Sequence, residues 1–174
     1  MAIEKRLEIP EGVTPSLEGT VFRVSGPKGE NERDLRFSNI EIFIDGNELV
    51  IRTESGRKKY LAMVGTLCSH ANNMCRGVTD GFEYQMKVVY SHFPIQLKVQ
   101  SNHLEIANFL GEKKERIAKI QEGVKVTVNG DEVVVTGIDK EKVGNTAANI
   151  ETATRIRKRD PRVFQDGIYI VGKV

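Results

Sequence analysis

Two stretches, Ile40-Glu-Ile-Phe-Ile-Asp-Gly-Asn-Glu-Leu-Val-Ile51 and Val124-Lys-Val-Thr-Val-Asn-Gly-Asp-Glu-Val-Val-Val135, correspond position by position. In each, β-branched residues alternate with other residues (Ile40, Ile42, Ile44; Val124, Val126, Val128), which places them on one face of a strand. Each run is then broken by Asp45-Gly46 or Asn129-Gly130. Such pairs tolerate the positive φ values of a tight hairpin, so both stretches are predicted hairpins turning at these dipeptides. The arms that come next, Leu49–Ile51 and Val133–Val135, are continuously apolar, as in a more buried strand.

The flanks repeat as well. Upstream lie Thr20-Val-Phe-Arg-Val-Ser-Gly26 and His103-Leu-Glu-Ile-Ala-Asn-Phe-Leu-Gly111, each a short strand running into a glycine. Downstream of the first hairpin, Tyr60, Leu61, Val64, Leu67, Cys68, Ala71, Met74 and Cys75 keep the spacing of an amphipathic helix. Val143, Ala147, Ile150 and Ala153 do so after the second, with Asp139 as N-cap. The pattern implies an α+β protein of two tandem, structurally related domains, residues 1–79 and 80–174, each a small antiparallel sheet packed with one helix. Gly77, Asp80 and Gly81 punctuate the join.

At 174 residues, with 39% hydrophobic and 29% charged side chains, the chain has a globular composition. No run reaches the roughly 18 apolar residues of a membrane span, and Met1–Pro10 is too charged for a signal peptide, so an intracellular protein without a membrane partner is expected. Net charge is only +2, but it is unevenly spread: −4 over residues 1–54, +5 over 55–119, −3 over 120–151 and +4 over 152–174. Screening over about 10 Å lets such blocks act separately.

Catalytic and cofactor motifs are missing. No phosphate-loop or dinucleotide fingerprint occurs. Gly26-Pro-Lys-Gly29 fits a G-x-x-G backbone clamp, but a strand precedes it and no helix pair frames it, so it reads as a strand-connecting loop. Cys68 and Cys75 lie seven apart on the predicted helix, about 10.5 Å along its axis, too far to share a zinc ion or a disulfide. His70, His92 and His103 are scattered over a helix, a loop and a strand start, with no acid at a spacing that would orient His92 as a base. No cofactor, no metal site and no enzymatic activity are expected.

Positive charge gathers in three places. Arg57-Lys58-Lys59 sits at the start of the first helix and reads as a solvated face. Gly111-Glu-Lys-Lys-Glu-Arg116, with Lys119, reads as a charged loop containing Lys113, Lys114 and Arg116. Arg155-Ile-Arg-Lys-Arg159 and Arg162 read as the end of the second helix and the segment after it. Five cations and one anion in eight residues are too dense for helix capping alone. Such density suits phosphate, and arginine suits bidentate phosphate contacts and base stacking. Phe164 and Tyr169 stand beside the charge, and the tail Val163–Val174 is apolar enough to fold partly on the second domain and partly along an RNA partner.

The tail Arg159-Asp-Pro-Arg-Val-Phe-Gln-Asp-Gly-Ile-Tyr-Ile-Val-Gly-Lys173 resembles the C-terminal motif of the archaeal and eukaryotic branch of the large-subunit ribosomal protein six family. The matching positions are Arg159, Arg162, Phe164, Asp166-Gly167, Ile168, Tyr169, Ile170 and Lys173. Thr152 stands where the family pattern usually begins with Gln. Cys68–Met74, Gly77–Tyr84, Tyr90-Ser-His-Phe-Pro-Ile95 and Asn108–Lys113 resemble the family too, so the similarity spans essentially the whole chain, and its brevity looks archaeal.

The resemblance implies two tandem related α+β domains and no catalysis. It implies a structural constituent of the cytoplasmic large ribosomal subunit, binding ribosomal RNA near the base of the factor-binding stalk and the sarcin–ricin loop. Neighbouring ribosomal proteins would be partners, and translation factors would pass nearby. The residues expected to meet RNA are Lys113, Lys114, Arg116, Lys119, Arg155, Arg157, Lys158, Arg159, Arg162, Tyr169 and Lys173. Two other classes fit the residues: a scaffold recruiting proteins by strand addition at its hairpin edges, and an RNA-modifying enzyme using His92 or His70.

Overall fold

The computed structural model describes residues 3–173. The chain forms two compact units, with the break between Gly81 and Phe82. The first contains β1 (Ile3–Glu8), β2 (Thr14–Glu18), β3 (Val21–Gly26), β4 (Gly29–Asp34), β5 (Glu41–Asp45), β6 (Glu48–Thr53) and α1 (Lys58–Thr79). The second contains β7 (Phe82–Val89), β8 (Gln96–Val99), β9 (His103–Ala107), β10 (Arg116–Lys119), β11 (Val124–Asn129), β12 (Glu132–Gly137), α2 (Lys140–Ala153) and β13 (Gly167–Lys173).

The duplication is visible in strand pairing. The first unit has antiparallel sheets ordered β1-β6-β5 and β2-β3-β4; the second has β7-β12-β11 and β8-β9-β10 in the matching places. Among the described residues, strand β13 has no counterpart in the first unit. It pairs antiparallel with β7 and makes the second unit's main sheet four-stranded, β11-β12-β7-β13. The tail beyond Gly167 is therefore a strand of the protein's own sheet. Ile168 and Ile170 fall on its core side, opposite Val88 and Met86, while Tyr169 and Val171 stay exposed.

Both repeated hairpins form, but their turns sit one residue later than the dipeptides suggest. Asp45 pairs with Glu48 and Asn129 with Glu132, leaving Gly46-Asn47 and Gly130-Asp131 as the two-residue loops. In each, only the glycine has positive φ, at 61°. Glycine at the first central position is the type II′ arrangement, whose twist suits antiparallel strands.

Each helix covers a core. Val64, Leu67, Ala71, Met74, Cys75 and Val78 of α1 pack with Phe22, Val24, Leu35, Leu49 and Ile51. Val143, Ala147 and Ile150 of α2 pack with Met86, Leu104, Ile106, Val133, Val135 and Ile168. Full burial of one such aliphatic side chain contributes about 1.5–3 kcal/mol. Val50 is buried as well, on the outer face of β6 between its register partners Arg6 and Phe43. Asp139 caps α2, accepting from the N–H groups of Glu141 and Lys142 at 2.9 and 3.4 Å. Gly77 does not punctuate: it is buried inside α1, and the helix ends with the Asp80 and Gly81 N–H groups reaching back to the Arg76 carbonyl. Gly26 and Gly29 close the β3–β4 hairpin. Among the described residues no helix is long and apolar enough to cross a membrane.

Candidate nucleic-acid interface

The densest positive charge lies on a segment between α2 and β13, tied at both ends. Helix α2 ends at Ala153, so the Arg155–Arg159 cluster lies wholly beyond it and owes nothing to helical geometry. Thr154, the C-cap, is buried. Its hydroxyl donates to the Glu151 carbonyl at 3.1 Å and accepts the Ile168 N–H at 3.0 Å. The helix end and the start of β13 are thus joined through one side chain, and residues 155–166 leave from and return to the same place.

Arg116 supports the start of that segment. The sequence groups it with Lys113, Lys114 and Lys119 in one loop, yet the loop ends at Glu115 and Arg116–Lys119 is strand β10. The period-two alternation turns Arg116 and Ala118 inward, Ile117 and Lys119 outward. The inward guanidinium grips Glu112 through Nε (2.9 Å) and Nη2 (2.6 Å), and its Nη1 donates to the carbonyls of Ala153 and Arg155, both at 3.0 Å. It lies 4.2 Å from the Phe109 ring centroid. The paired Arg116 holds the Glu112 carboxyl below its ordinary range. Arg116 is thus a strut whose donors serve the protein, unlike the outward-turned Lys119 on the same strand.

Beside Arg116 a groove of about 690 Å³ opens between β10 and the end of α2. Arg116, Lys119, Arg155 and Arg157 line it with Gln121, Asn149 and Thr152, and among the described residues no carboxylate lines it. Asn149 fixes the wall by donating to the Lys119 carbonyl at 3.0 Å. A concave surface with several cations and neutral amides matches a phosphate-bearing ligand in charge and hydrogen-bonding capacity.

Farther along, Asp160-Pro161-Arg162-Val163 forms a turn. The Asp160 carbonyl accepts from the N–H groups of Val163 and Phe164, and its carboxylate accepts from the Arg162 N–H at 3.0 Å. Asp at the first and Pro at the second position favour such a turn. The Arg162 side chain extends from it, 91% exposed and 3.6 Å from the Asp160 carboxylate. Lys158 precedes it with φ 59°. The Arg159 guanidinium lies 4.8 Å from the Phe164 ring centroid, and the His92 ring stacks on Phe164 at 4.6 Å.

His92 has an acidic partner that its sequence neighbourhood conceals. Its Nδ1 lies 2.9 Å from Oδ1 of Asp166, a carboxylate 1% exposed. Ser91 supplies its N–H and hydroxyl to Asp166 at 3.3 and 3.2 Å, and His92 its N–H at 3.4 Å. Burial pushes the Asp166 carboxyl up, but these donors outweigh it and hold the group below its usual value. The ionised carboxylate can only accept, so Nδ1 carries the proton. Ser91 Oγ lies 3.1 Å from that same nitrogen, not from the opposite one, so the three do not form a nucleophile–base relay. The cluster fastens the end of the basic segment to the 90–95 turn.

The remaining expected residues are peripheral. Lys113 and Lys114 are exposed in the 111–115 loop. Tyr169 donates its hydroxyl to the Gln165 carbonyl at 2.9 Å, so its polar end serves the loop. Lys173 places Nζ 5.5 Å from the Tyr84 ring centroid. Among the described residues no three His, Cys, Asp or Glu side chains are grouped to hold a metal. Cys68 and Cys75 are both free thiols, and burial pushes the Cys75 thiol up.

This arrangement has close relatives in sequence. A family model described as ribosomal protein L6 matches twice, over residues 9–81 and 93–167, one match within each unit. The large ribosomal subunit protein uL6 of Methanospirillum hungatei is 60% identical over 173 residues, 99% of this chain and 98% of its own. The uL6 protein of Methanothrix thermoacetophila is 54% identical over 98% and 97% of the two chains. That of Aeropyrum pernix is 49% identical over 97% and 93%. With a family match in both repeats and such identity along nearly the full length, the chain belongs to the ribosomal protein L6 family.

Proposed function

We propose that this protein is a structural constituent of the cytoplasmic large ribosomal subunit, holding large-subunit ribosomal RNA through its second unit near the factor-binding stalk base and the sarcin–ricin loop. The observation that carries the reading is the acid-free groove at Lys119, Arg155 and Arg157, continued by the exposed cations of residues 158–162. The relatives' shared name as large ribosomal subunit proteins supports the assembly.

In this reading Lys119, Arg155 and Arg157 receive phosphates in the groove. Lys158, Arg159 and Arg162 extend the contact along the loop, with Lys113, Lys114 and Lys173 at its margins. Tyr169 flanks the loop, and Arg116 positions it from below. Phosphate contacts fix register and orientation, while selectivity comes from RNA shape. The first unit, with −4 over residues 1–54, faces neighbouring ribosomal proteins, solvent or the path of passing translation factors.

The test is binding of the full chain to a large-subunit ribosomal RNA fragment carrying the sarcin–ricin and stalk-base helices, across a salt series. Wild type should bind with steep salt dependence. The double variant Arg157→Ala, Arg159→Ala should bind more weakly, its slope flattened by about 0.9 log unit per lost phosphate contact on duplex-like RNA. An unchanged slope in the folded double variant refutes the assignment. Binding indifferent to salt favours a protein scaffold working through hairpin edges.

A further inference from the structure

The turn Tyr90-Ser-His-Phe-Pro-Ile95 lies outside every sheet, yet it is held on two sides. Asp166 accepts from the backbone N–H groups of Ser91 and His92, and Asn108 Nδ2 donates to the Pro94 carbonyl at 3.0 Å. Two rings of this fastened turn face solvent: Tyr90 is 44% exposed and Phe93 46%.

On one flank lies the 111–115 loop, with Lys113 and Lys114 between Glu112, which is paired to Arg116, and Glu115; on the other lies Arg159. The Phe93 ring lies over Gly111, where a Cβ would stand 3.3–3.6 Å from three ring carbons. Gly111, with φ 74°, begins the loop that carries Lys113 and Lys114. That positive φ favours glycine, and a Cβ there would press on the ring. On the other flank, His92 stacks on Phe164, which in turn carries Arg159. Phe93 thus stands half exposed on a fastened turn, between the loop that carries Lys113 and Lys114 and the Phe164 ring that carries Arg159.

A flat apolar surface with anionic groups on either side describes an unpaired nucleobase and its flanking phosphates. We propose that Phe93 is a base-stacking residue, taking one unpaired nucleobase of the RNA whose backbone lies along the Lys113–Lys114 and Arg159–Arg162 loops. This rests on the RNA-binding reading above and adds to it a site for a base.

The chain contains no tryptophan, so Phe93→Trp installs a single indole reporter. The probes are the ribosomal RNA fragment named above and inorganic polyphosphate, which offers charge without bases. The fragment should quench the indole on binding, whereas polyphosphate should bind without quenching it. Phe93→Ala and Phe93→Leu, both checked for wild-type thermal unfolding, should lose about ten- to hundredfold in affinity for the fragment at an unchanged salt slope. Phe93→Tyr should restore affinity. Absence of quenching, wild-type affinity in Phe93→Leu, or quenching by ribosomal proteins but not by the fragment would overturn the proposal. Failure of the wild-type chain to bind the fragment at all would instead remove the RNA reading beneath it.

Discussion

Nδ1 of His92 and Oδ1 of Asp166 meet at 2.9 Å across 74 residues of sequence, and through them the basic segment is pinned to the turn after β7. The carboxylate sits among donors only, two from backbone and two from side chains. Replacing it with an amide turns one acceptor into a further donor.

Asp166→Asn should therefore lower the stability of the second unit by about 1–3 kcal/mol at neutral pH, read by urea unfolding. The pH dependence comes from its depressed pKa. The unfolded carboxyl titrates at about 3.9; the folded one titrates lower. Its stabilisation is complete above the unfolded value and is lost as pH falls through the folded one. The gap between wild type and Asp166→Asn should shrink on acidification below about pH 4. A gap of constant size would contradict this account.

Arg116→Lys keeps the charge but cannot grip Glu112 through two nitrogens while also reaching the Ala153 and Arg155 carbonyls. It should destabilise the second unit by about 1–3 kcal/mol, since charge-assisted hydrogen bonds to Glu112 and to two carbonyls are lost. In RNA titrations it should weaken binding with little change in salt slope, because the Arg116 donors are engaged by Glu112 and two carbonyls. A slope flattened as much as by Arg157→Ala would make it a direct contact.

Ile168 is completely buried on the core side of β13. Ile168→Ala should cost about 2–5 kcal/mol, measured by the same unfolding. Removing everything after Thr154 should unfold the second unit outright, because it strips β7 of a partner strand and deletes Asp166. Circular dichroism of the truncated chain compared with that of an intact chain carrying alanine at Arg155, Arg157, Lys158, Arg159 and Arg162 separates loss of fold from loss of charge. A truncated chain with a wild-type spectrum and cooperative melting would show that β13 is dispensable.

The duplicated hairpins are readable in the amino-acid order because their information is local: alternation sets the face, and a glycine sets the reversal. The one-residue displacement of the turns arises because Gly46 alone takes the positive φ, which puts Asn47 rather than Asp45 in the loop. Strand β13 is different. Its motif announces a family relationship, but its being a strand depends on register with β7, whose residues lie far earlier in the chain.

The charge density of residues 155–162 is likewise plain from composition, and the structure places Lys119, Arg155 and Arg157 around one groove. What composition cannot distinguish is a cation facing solvent from one facing inward. Arg116 differs from Lys119 only in its phase along β10, and that phase becomes visible once Ala118 is seen to be buried. His92 and Asp166 are similarly opaque, since neither has an informative neighbour in sequence. The clearest sign is the occurrence of both in stretches resembling one family.

Strand β13 also imposes an order on synthesis. The first unit is complete once Gly81 has been made, whereas β7, among the earliest parts of the second, waits for a neighbour encoded after the basic segment. A nascent chain that has reached Arg162 already carries the cations of that segment but neither Asp166 nor Ile168 to fasten its far end. The positive charge emerges before the geometry that gives it a shape, and only a chain extended through Lys173 can present it as a fixed surface.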